Sequence, residues 1–320
     1  MFGFFKSPRP PPSIPPNPAI LELKPSETQT VTLPDNRKLS YATYGDTNPA
    51  APVIFLFHGM PGSRICGRGF HRNCLNIGAR LVSVDRPGCG LSTLADRGLT
   101  DWPEDVVNLA DHLGVQRFSV LGASGGGPFA LACARFIPKE RLRATHVVCG
   151  IGPLDALVDT PYLPGPLKSL AKYFLQLAAR YFVLPRIFAP YLNQSASGLK
   201  RTIEDQCRTP EEKAQFRDTT NENNPDNSVV QFLEAFKQGS GGAMQDGAVL
   251  TRDWGFKLEN VEAERVWMWH GDQDAVAPVG VARWIDRRLG GGRLRVLEGK
   301  THFTIWKEHS EEIFRQSAEA

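Results

Sequence analysis

The sequence predicts an α/β fold in which helices cover both faces of a mostly parallel sheet. Short apolar runs alternate with amphipathic stretches over the first half of the 320 residues, which is the pattern of strands that are each followed by a helix. The run 53–57, VIFLF, contains no polar residue, as expected of a strand that is buried on both faces. Near residue 153 this alternation stops, and strand signals return only at residue 265.

The individual elements follow from local patterns in chain order. Two alternating runs, TQTVTLP and RKLSYATYG, are linked by Asp35-Asn36 and predict a polar-faced hairpin. The other predicted strands are 53–57, 80–84, 118–121, 145–149, 265–269 and 293–297. The predicted helices are 103–113, 127–136, 167–183, 228–238 and 305–318.

These elements divide the chain into three parts. Proline dominates the start of the chain, so residues 1–18 are predicted to be a disordered, proline-rich tail, with a solvated arm favoured over a ligand for a proline-binding module. Residues 19–152 and 263–320 are expected to form the α/β core, and 153–262 a helical cap. An insertion of this size beside the carboxyl ends of parallel strands usually covers a binding cleft.

Composition excludes several classes of function. The 37 Lys and Arg residues against 34 Asp and Glu give a net charge of +3, which is not the basic excess of a nucleic-acid binder. No run of 18 apolar residues occurs, so no integral membrane span is predicted. The six cysteines form neither a CxxC pair nor a zinc-ligand pattern, so we expect reduced thiols. No metal and no other cofactor is expected, since the serine, histidine and carboxylate described below need none. No secretory signal is recognisable, and a cytoplasmic location is expected; the oligomeric state is not readable.

One serine carries the pattern of an activated nucleophile. Residues 122–126, GASGG, fit G-x-S-x-G between a predicted strand and a predicted helix. Small residues two positions before and after Ser124 permit a turn sharp enough to lift its Oγ clear of the sheet. Because a serine hydroxyl is a weak nucleophile, a base must take its proton.

The base and its orienting carboxylate are expected at the same edge of the sheet. His302 lies in the loop after the last predicted strand, where catalytic groups gather in this architecture. Asp272 and Asp274 both follow the strand at 265–269, and either could fix the tautomer of the histidine. Spacing alone does not separate the two carboxylates, and Asp272 could instead bond its own turn.

Taken together, these motifs resemble the α/β-hydrolase superfamily, in particular its capped serine hydrolases. The order Ser124, Asp274, His302 is the family's order of nucleophile, acid and base, and the family's G-x-x-D pattern selects Asp274. The resemblance runs from about residue 28 to residue 312. It implies the α/β-hydrolase fold, with an eight-stranded, mostly parallel sheet flanked by helices and a helical cap inserted after strand 6.

Two further segments support the resemblance. Residues 57–62, FHGMPG, resemble the family's oxyanion loop, which implies that the backbone N–H groups of Met60 and Gly125 bind the developing oxyanion, with His58 bracing the loop. Residues 85–92, DRPGCGLS, resemble the turn after the fourth strand of the family. We interpret this turn as loop geometry, because glycine there permits positive φ.

The resemblance implies a serine hydrolase that cleaves a small-molecule carboxylic ester or lactone through an acyl-enzyme. Serine at position 124 disfavours epoxide hydrolases and haloalkane dehalogenases, which use aspartate there. Three alternatives stay open: a C–C bond hydrolase or lyase, an aminopeptidase-like hydrolase, and a non-catalytic ligand-binding homologue.

The cap should determine the acyl substrate. Its large apolar residues could line an acyl pocket, although core packing is favoured for each one by itself. These residues are Tyr162, Leu163, Tyr173, Phe174, Phe232, Phe236, Trp254 and Phe256.

Overall fold

The computed structural model of the protein describes residues 21–159, 162, 164–218 and 225–320. The predicted tail, 1–18, lies outside these residues, as does Leu163. Eight strands form one sheet in the order β1-β2-β4-β3-β5-β6-β7-β8. The strands are β1 Gln29–Thr32, β2 Lys38–Gly45, β3 Val53–Phe57, β4 Arg80–Val84, β5 Phe118–Ala123, β6 Leu142–Val148, β7 Val266–Gly271 and β8 Leu294–Leu297.

The sheet is mostly parallel. The hairpin of β1 and β2 pairs antiparallel, and β2 also runs antiparallel to β4. All the other neighbouring strands pair in parallel. The carboxyl ends of β3 to β8 therefore lie at one edge, which is where loops carry function in this class of sheet. The predicted eight-stranded, mostly parallel sheet is confirmed.

Helices flank the sheet and fill the long interval between β6 and β7. Outside that interval they are α1 His71–Asn76, α2 Trp102–His112, α3 Gly127–Phe136, α11 Val279–Arg288 and α12 Ile305–Glu319. Within it they are α4 Asp155–Val158, α5 Gly165–Ala178, α6 Leu184–Phe188, α7 Ala196–Asp205, α8 Pro210–Arg217, α9 Pro225–Ala235 and α10 Gly241–Thr251. A π-helical turn, Ala179–Val183, joins α5 to α6. No helix within the described residues is long and apolar enough to cross a membrane.

Alternating side chains of the central strands supply two apolar cores. Phe55 and Phe57 of β3 point to one face, where they pack with Trp102 of α2 and residues of α3. Ile54 and Leu56 point to the other face, in the cluster that α1 and α12 cover. A strand buried on both faces needs apolar residues at every position, which explains the uninterrupted run in β3.

The described apolar residues proposed for the cap fall into three groups. Trp254 lies in the core cluster of Phe55 and Phe57, and Phe256 packs against that cluster. Phe232 and Phe236 stack on Tyr191 in a small core of their own. Tyr162, Tyr173 and Phe174 are instead 92%, 55% and 58% exposed, so the prediction that they are core residues is wrong. Helix α5, which carries Tyr173 and Phe174, contains no buried residue.

His146, in the middle of β6, is buried in an apolar environment. Its ring stacks on that of Trp267, with centroids 5.2 Å apart and planes at 7°. Neither ring nitrogen has a hydrogen-bond partner within the described part of the chain. Burial without a partner disfavours the charged imidazolium and lowers the pKa of His146 to about 3.

Replacing His146 with phenylalanine is expected to make stability less dependent on pH. A histidine in an unfolded chain has a pKa near about 6.5, so at acidic pH the unfolded state binds a proton that folded His146 does not. As the pH is lowered from that value to the folded pKa of about 3, His146 reduces the free energy of unfolding of the wild type by about 1.4 kcal/mol per pH unit. In urea unfolding, the free energy of unfolding of His146→Phe should therefore rise relative to that of wild type as the pH is lowered from neutral to acidic values. A His309→Phe control removes a histidine outside the sheet, and parallel pH profiles for wild type and His146→Phe would contradict the assignment.

Candidate active site

Ser124 occupies a sharp turn between β5 and α3. Its φ of 51° lies in the left-handed region, which side chains other than glycine rarely adopt. The flanking glycines are required by space, since a Cβ on Gly122 would lie 2.3 Å from the carbonyl oxygen of Gly126. A Cβ on Gly126 would lie 2.2 Å from the carbonyl oxygen of Phe57. The half-buried Ser124 side chain is thus held at the carboxyl edge of the sheet.

His302 and Asp274 form a buried hydrogen-bonded pair. His302 Nδ1 lies 2.7 Å from Asp274 Oδ2, and the two residues are 8% and 5% exposed. The other carboxylate oxygen, Oδ1, accepts hydrogen bonds from the backbone N–H groups of Val276 and Ala277. Burial opposes ionisation of Asp274, but hydrogen bonds from His270 and His302 outweigh it and hold the pKa of the carboxyl well below its usual range. The ionised carboxylate can therefore orient and stabilise a protonated His302.

The second carboxylate proposed for this role has a different partner. Asp272 Oδ1 accepts a hydrogen bond of 2.8 Å from the backbone N–H of Gly299 and so closes the turn after β8. Spacing in the sequence left Asp272 and Asp274 open as orienting groups. The hydrogen bond to His302 belongs to Asp274, whereas Asp272 bonds the backbone of Gly299 in the loop after β8 and not the backbone of its own turn.

Backbone hydrogen bonds join the strand ends that carry these side chains. The carbonyl oxygen of Ser124 accepts from the N–H of Ile151, which follows β6. The N–H of Cys149 donates to the carbonyl oxygen of Trp269 in β7, and Cys149 itself has a φ of 49°. Because β5, β6, β7 and β8 are consecutive neighbours, the loops bearing the nucleophile, the acid and the base are held at one edge.

The loop after β3 lies directly against the serine. A Cβ on Gly59 would lie 3.4 Å from Ser124 Cβ, and a Cβ on Gly125 would lie 3.2 Å from the backbone nitrogen of Met60. The amide of Met60 is thus beside the first residue after the nucleophile. Two such fixed N–H donors can each stabilise a developing oxyanion by about 3 kcal/mol.

A fully buried arginine, which the sequence analysis did not single out, supports this loop. Arg86 donates from Nη1 to the carbonyl oxygen of His58 at 2.6 Å and from Nη2 to that of Gly59 at 3.1 Å. It also pairs with Asp246 of α10, with an Nη2–Oδ2 distance of 2.6 Å. Burial, and then the neighbouring Arg86 charge, lower the pKa of His58 well below its usual value, so His58 is a neutral structural group. Its Nδ1 lies 2.8 Å from the carbonyl oxygen of Gly59.

A second buried arginine makes a similar link. Arg64 is 0% exposed and pairs with Asp85 after β4 and with Glu234 of α9, at 2.8 Å in each case. Gly90 must be glycine because a Cβ there would lie 1.9 Å from Asp85 Oδ2. The glycines of residues 85–92 do adopt positive φ as predicted, with 79° at Gly88 and 53° at Gly90. What the loop-geometry interpretation missed is the pair of ionic links to the helices between β6 and β7.

Among the described residues, one group of metal-ligating side chains gathers, and it overlaps this site. The ligand atoms of Cys149, Asp274 and His302 lie within 4.8 Å of one another, and all three residues are buried. A divalent cation held there would have to replace the 2.7 Å hydrogen bond between His302 and Asp274. The donor set therefore fits a proton relay better than a resident metal. None of the six cysteines, all of which the structure describes, forms a disulfide bond.

Known proteins resemble the chain to different extents. The magnesium-chelatase 30 kDa subunit of Rhodobacter capsulatus is 38% identical over 103 residues, which cover 30% of this chain and 35% of that protein. The bifunctional esterase/perhydrolase DCH of Acinetobacter calcoaceticus is 33% identical over 142 residues, covering 43% and 50%. A 2-hydroxy-6-oxo-6-phenylhexa-2,4-dienoate hydrolase of Comamonas testosteroni is 25% identical over 279 residues, covering 84% and 87%. The chain thus aligns with about a third to a half of the first two proteins and with most of the third.

The fold and a family profile give the same classification. An esterase from Exiguobacterium antarcticum, EaEST, superposes with a TM-score of 0.60 at 18% identity, over 92% of this chain and 100% of that chain, which is a likeness of fold alone. The profile described as "Alpha/beta hydrolase family" matches residues 53–316. That match includes β3 to β8 and the three residues of the candidate triad. The chain therefore belongs to the alpha/beta hydrolase family.

Proposed function

We propose that the protein is a serine hydrolase that cleaves a small carboxylic ester or lactone through an acyl-enzyme. The observation that carries the proposal is the buried His302–Asp274 hydrogen bond at the sheet edge where Ser124 sits in a strained turn. Backbone strain of this kind persists where the surrounding structure enforces it, and it is concentrated at functional sites. A nucleophile, a base and an oriented carboxylate are the groups that acyl transfer requires.

The proposed reaction has two steps, acylation of Ser124 and hydrolysis of the acyl-enzyme, and His302 acts as base in both. Ser124 Oγ attacks the carbonyl carbon while its proton passes to His302 Nε2, and Asp274 stabilises the imidazolium through Nδ1. The N–H groups of Met60 and Gly125 hold the oxyanion of the tetrahedral intermediate. Collapse of the intermediate expels the alcohol, which takes the proton from His302. Water then attacks the acyl-enzyme, again with His302 as base, and releases the carboxylic acid and free Ser124.

The surroundings of the oxyanion loop favour a small apolar acyl group. Met60 packs against Leu184 and Phe188 of α6, and Leu250 of α10 would lie 3.5 Å from a Cβ on Gly125. Apolar side chains from the proposed cap therefore lie close to both proposed oxyanion-binding residues, which leaves room for a small acyl group. The division into a core, 19–152 and 263–320, and a cap, 153–262, is part of the same proposal.

Labelling with a fluorophosphonate probe tests whether Ser124 is activated. We expect wild type to be labelled and Ser124→Ala to remain unlabelled, because only a serine paired with a base attacks the phosphorus. The control Ser169→Ala removes an exposed serine of α5 and should be labelled like wild type. Equal labelling of Ser124→Ala would place the reactive group elsewhere. Labelling lost with Ser124 would be followed by a series of p-nitrophenyl esters and lactones of increasing acyl length.

C–C bond hydrolysis on the same triad is the second candidate. It is favoured by the Comamonas testosteroni hydrolase, to which 84% of this chain aligns. A comparison of kcat/KM for p-nitrophenyl acetate and for an activated vinylogous diketone separates the two. A preference for the diketone would replace the ester proposal. The lyase and aminopeptidase-like readings keep the same nucleophile, whereas stoichiometric ligand binding without turnover would indicate a non-catalytic homologue.

A cytoplasmic location completes the proposal. Four of the six cysteines, at positions 74, 89, 133 and 149, are buried, and none of the six is in a disulfide. Burial raises the pKa of the thiols of Cys89, Cys133 and Cys149 well above its usual value. Thiols that are not paired as disulfides are typical of proteins in a reducing compartment. The acyl substrate is taken to be a small molecule.

A further inference from the structure

An unusually apolar surface follows the helices after β6. Residues 165–188, which we call the cap ridge, run from α5 through the π-helical turn to the end of α6. Neither α5 nor the π-helical turn contains a buried residue. The large apolar side chains that are exposed here are Leu167, Leu170, Tyr173, Phe174, Leu175, Tyr181, Phe182, Val183 and Ile187. Phe174 and Phe182 are 58% and 60% exposed, so aromatic surface as well as aliphatic surface faces outward.

Four of these nine side chains lie along one side of the cap ridge, and the other five extend the apolar surface around it. Leu167, Leu170, Phe174 and Tyr181 are separated by three, four and seven residues, which places them along one side of a helix. At about 1.5 Å per residue, the ridge is about 36 Å long. Contiguous apolar surface of this extent marks an interaction site rather than ordinary surface variation.

The cap ridge is also uniformly basic. Residues 164–191 contain Lys168, Lys172, Arg180 and Arg186 but no aspartate or glutamate. The two lysines pair with Asp159 and Asp155 of the neighbouring segment.

The two arginines differ from the lysines. Arg180 and Arg186 are exposed, and neither forms an ion pair with a carboxylate of the described residues. Their guanidinium carbons lie 5.7 Å and 6.0 Å from the ring centroids of Tyr181 and Phe182. Positive charge and aromatic surface are therefore presented together, with no carboxylate on the same stretch, although Arg180 also lines a surface cavity together with Asp96.

We propose that the cap ridge docks on the surface of an anionic lipid bilayer. A helix with aromatic and leucine side chains on one face and arginine or lysine at its margins lies in the plane of the bilayer interface, with the apolar face in the acyl boundary and the cations at the headgroups. A second copy of the chain is a poorer occupant, since a two-fold contact would pack together two ridges that each carry basic and no acidic side chains. The charge of the ridge thus complements an anionic surface.

Docking in this way would bring the membrane next to the candidate active site. Leu184 and Phe188, the two buried residues of α6, pack against Met60 of the oxyanion loop and Ala243 of α10. The ridge is therefore anchored by its inner side to the loop that would stabilise the transition state. The proposal does not rest on hydrolysis, and it can be tested without any substrate.

Flotation of the full-length protein with vesicles tests the proposal. Wild type should float with vesicles of equal parts phosphatidylcholine and phosphatidylglycerol, and at least about tenfold less with phosphatidylcholine alone. The triple variant Leu170→Gln, Phe174→Gln, Phe182→Gln should lose binding to both. The double variant Arg180→Gln, Arg186→Gln should lose the preference for the anionic vesicles. Leu75→Gln, which removes a side chain 48% exposed on α1, is the matched control and should bind like wild type.

Light scattering on the same proteins distinguishes the other occupants. The proposal would be overturned if wild type floated with neither kind of vesicle, or if the triple variant bound vesicles as wild type does. A wild-type dimer that the triple variant converts to a monomer, without vesicle binding, would instead assign the ridge to a second copy. Fluorophosphonate labelling in the absence of lipid should be equal in all variants, so failure of this proposal is separable from failure of the hydrolase proposal.

Discussion

Replacing His302 with alanine is expected to lower kcat by about 10⁶. Without the base, the Ser124 hydroxyl keeps its proton and the leaving alcohol has no acid to protonate it. Steady-state turnover of the best p-nitrophenyl ester measures the loss, and His309→Ala, on the outer helix α12, should retain wild-type turnover.

The orienting carboxylate should matter less than the base. Asp274→Asn keeps the shape of the site but loses the charge that stabilises a protonated His302, so kcat should fall by about 10⁴. Asp272→Asn should alter turnover only slightly, because Asp272 bonds the backbone of Gly299 and not the histidine. If Asp272→Asn were the more damaging of the two changes, the assignment of the acid would be wrong.

Replacing Arg86 with methionine is expected to reduce the free energy of unfolding by about 3–5 kcal/mol. The substitution leaves the carboxylate of Asp246 buried without its partner, and two carbonyl oxygens of the oxyanion loop lose their donors. The double variant Arg86→Met, Asp246→Leu removes both charges and should recover most of the stability, since a buried ion pair and an apolar pair of similar volume differ little. Urea unfolding measures both quantities.

The activity of that double variant separates positioning from stability. Even when folded as stably as wild type, it should have kcat lowered by about 10². The reason is that Arg86 no longer donates to the carbonyl oxygens of His58 and Gly59, and so no longer fixes the loop that carries the Met60 amide. KM should change less than kcat, since the oxyanion forms only in the transition state. Arg37→Met, which breaks the pair with Asp105 away from the site, is the control that should cost stability alone. If the double variant had the kcat of wild type, Arg86 would contribute to stability alone and not to the position of the Met60 amide.

Local sequence predicted the elements that depend on local interactions. Strands 53–57 and 80–84 and the helix at 127–136 have the predicted bounds, because apolar runs bounded by turn residues determine them. The turn around Ser124 was equally predictable from its G-x-S-x-G pattern, because a Cβ on Gly122 would meet the carbonyl oxygen of Gly126 within the same five residues. The clash of a Cβ on Gly126 with Phe57 is a contact between distant segments and was not predictable. The hydrogen bond that selects Asp274 over Asp272 was not readable from spacing and required the resemblance to a family.

Helix α10 shows why other elements were missed. Residues 241–251 contain three glycines, which lower intrinsic helix propensity by about 1 kcal/mol each relative to alanine. Those positions are set by distant neighbours: a Cβ on Gly242 would lie 2.4 Å from the carbonyl of Gly88, and one on Gly247 would lie 2.3 Å from the side chain of Leu184. The same applies to Arg86, whose partner Asp246 is 160 residues away in the chain. Close contacts between distant segments leave no local pattern.

The two buried arginines restrict how substrate can enter and leave. Arg64 ties α9 to the core through Glu234, and Arg86 ties α10 to it through Asp246. If all the helices between β6 and β7 swung away as one rigid lid, both buried ion pairs would have to separate at the same time. We therefore expect α9 and α10 to stay on the core while a substrate enters, and the helices that precede them to move instead.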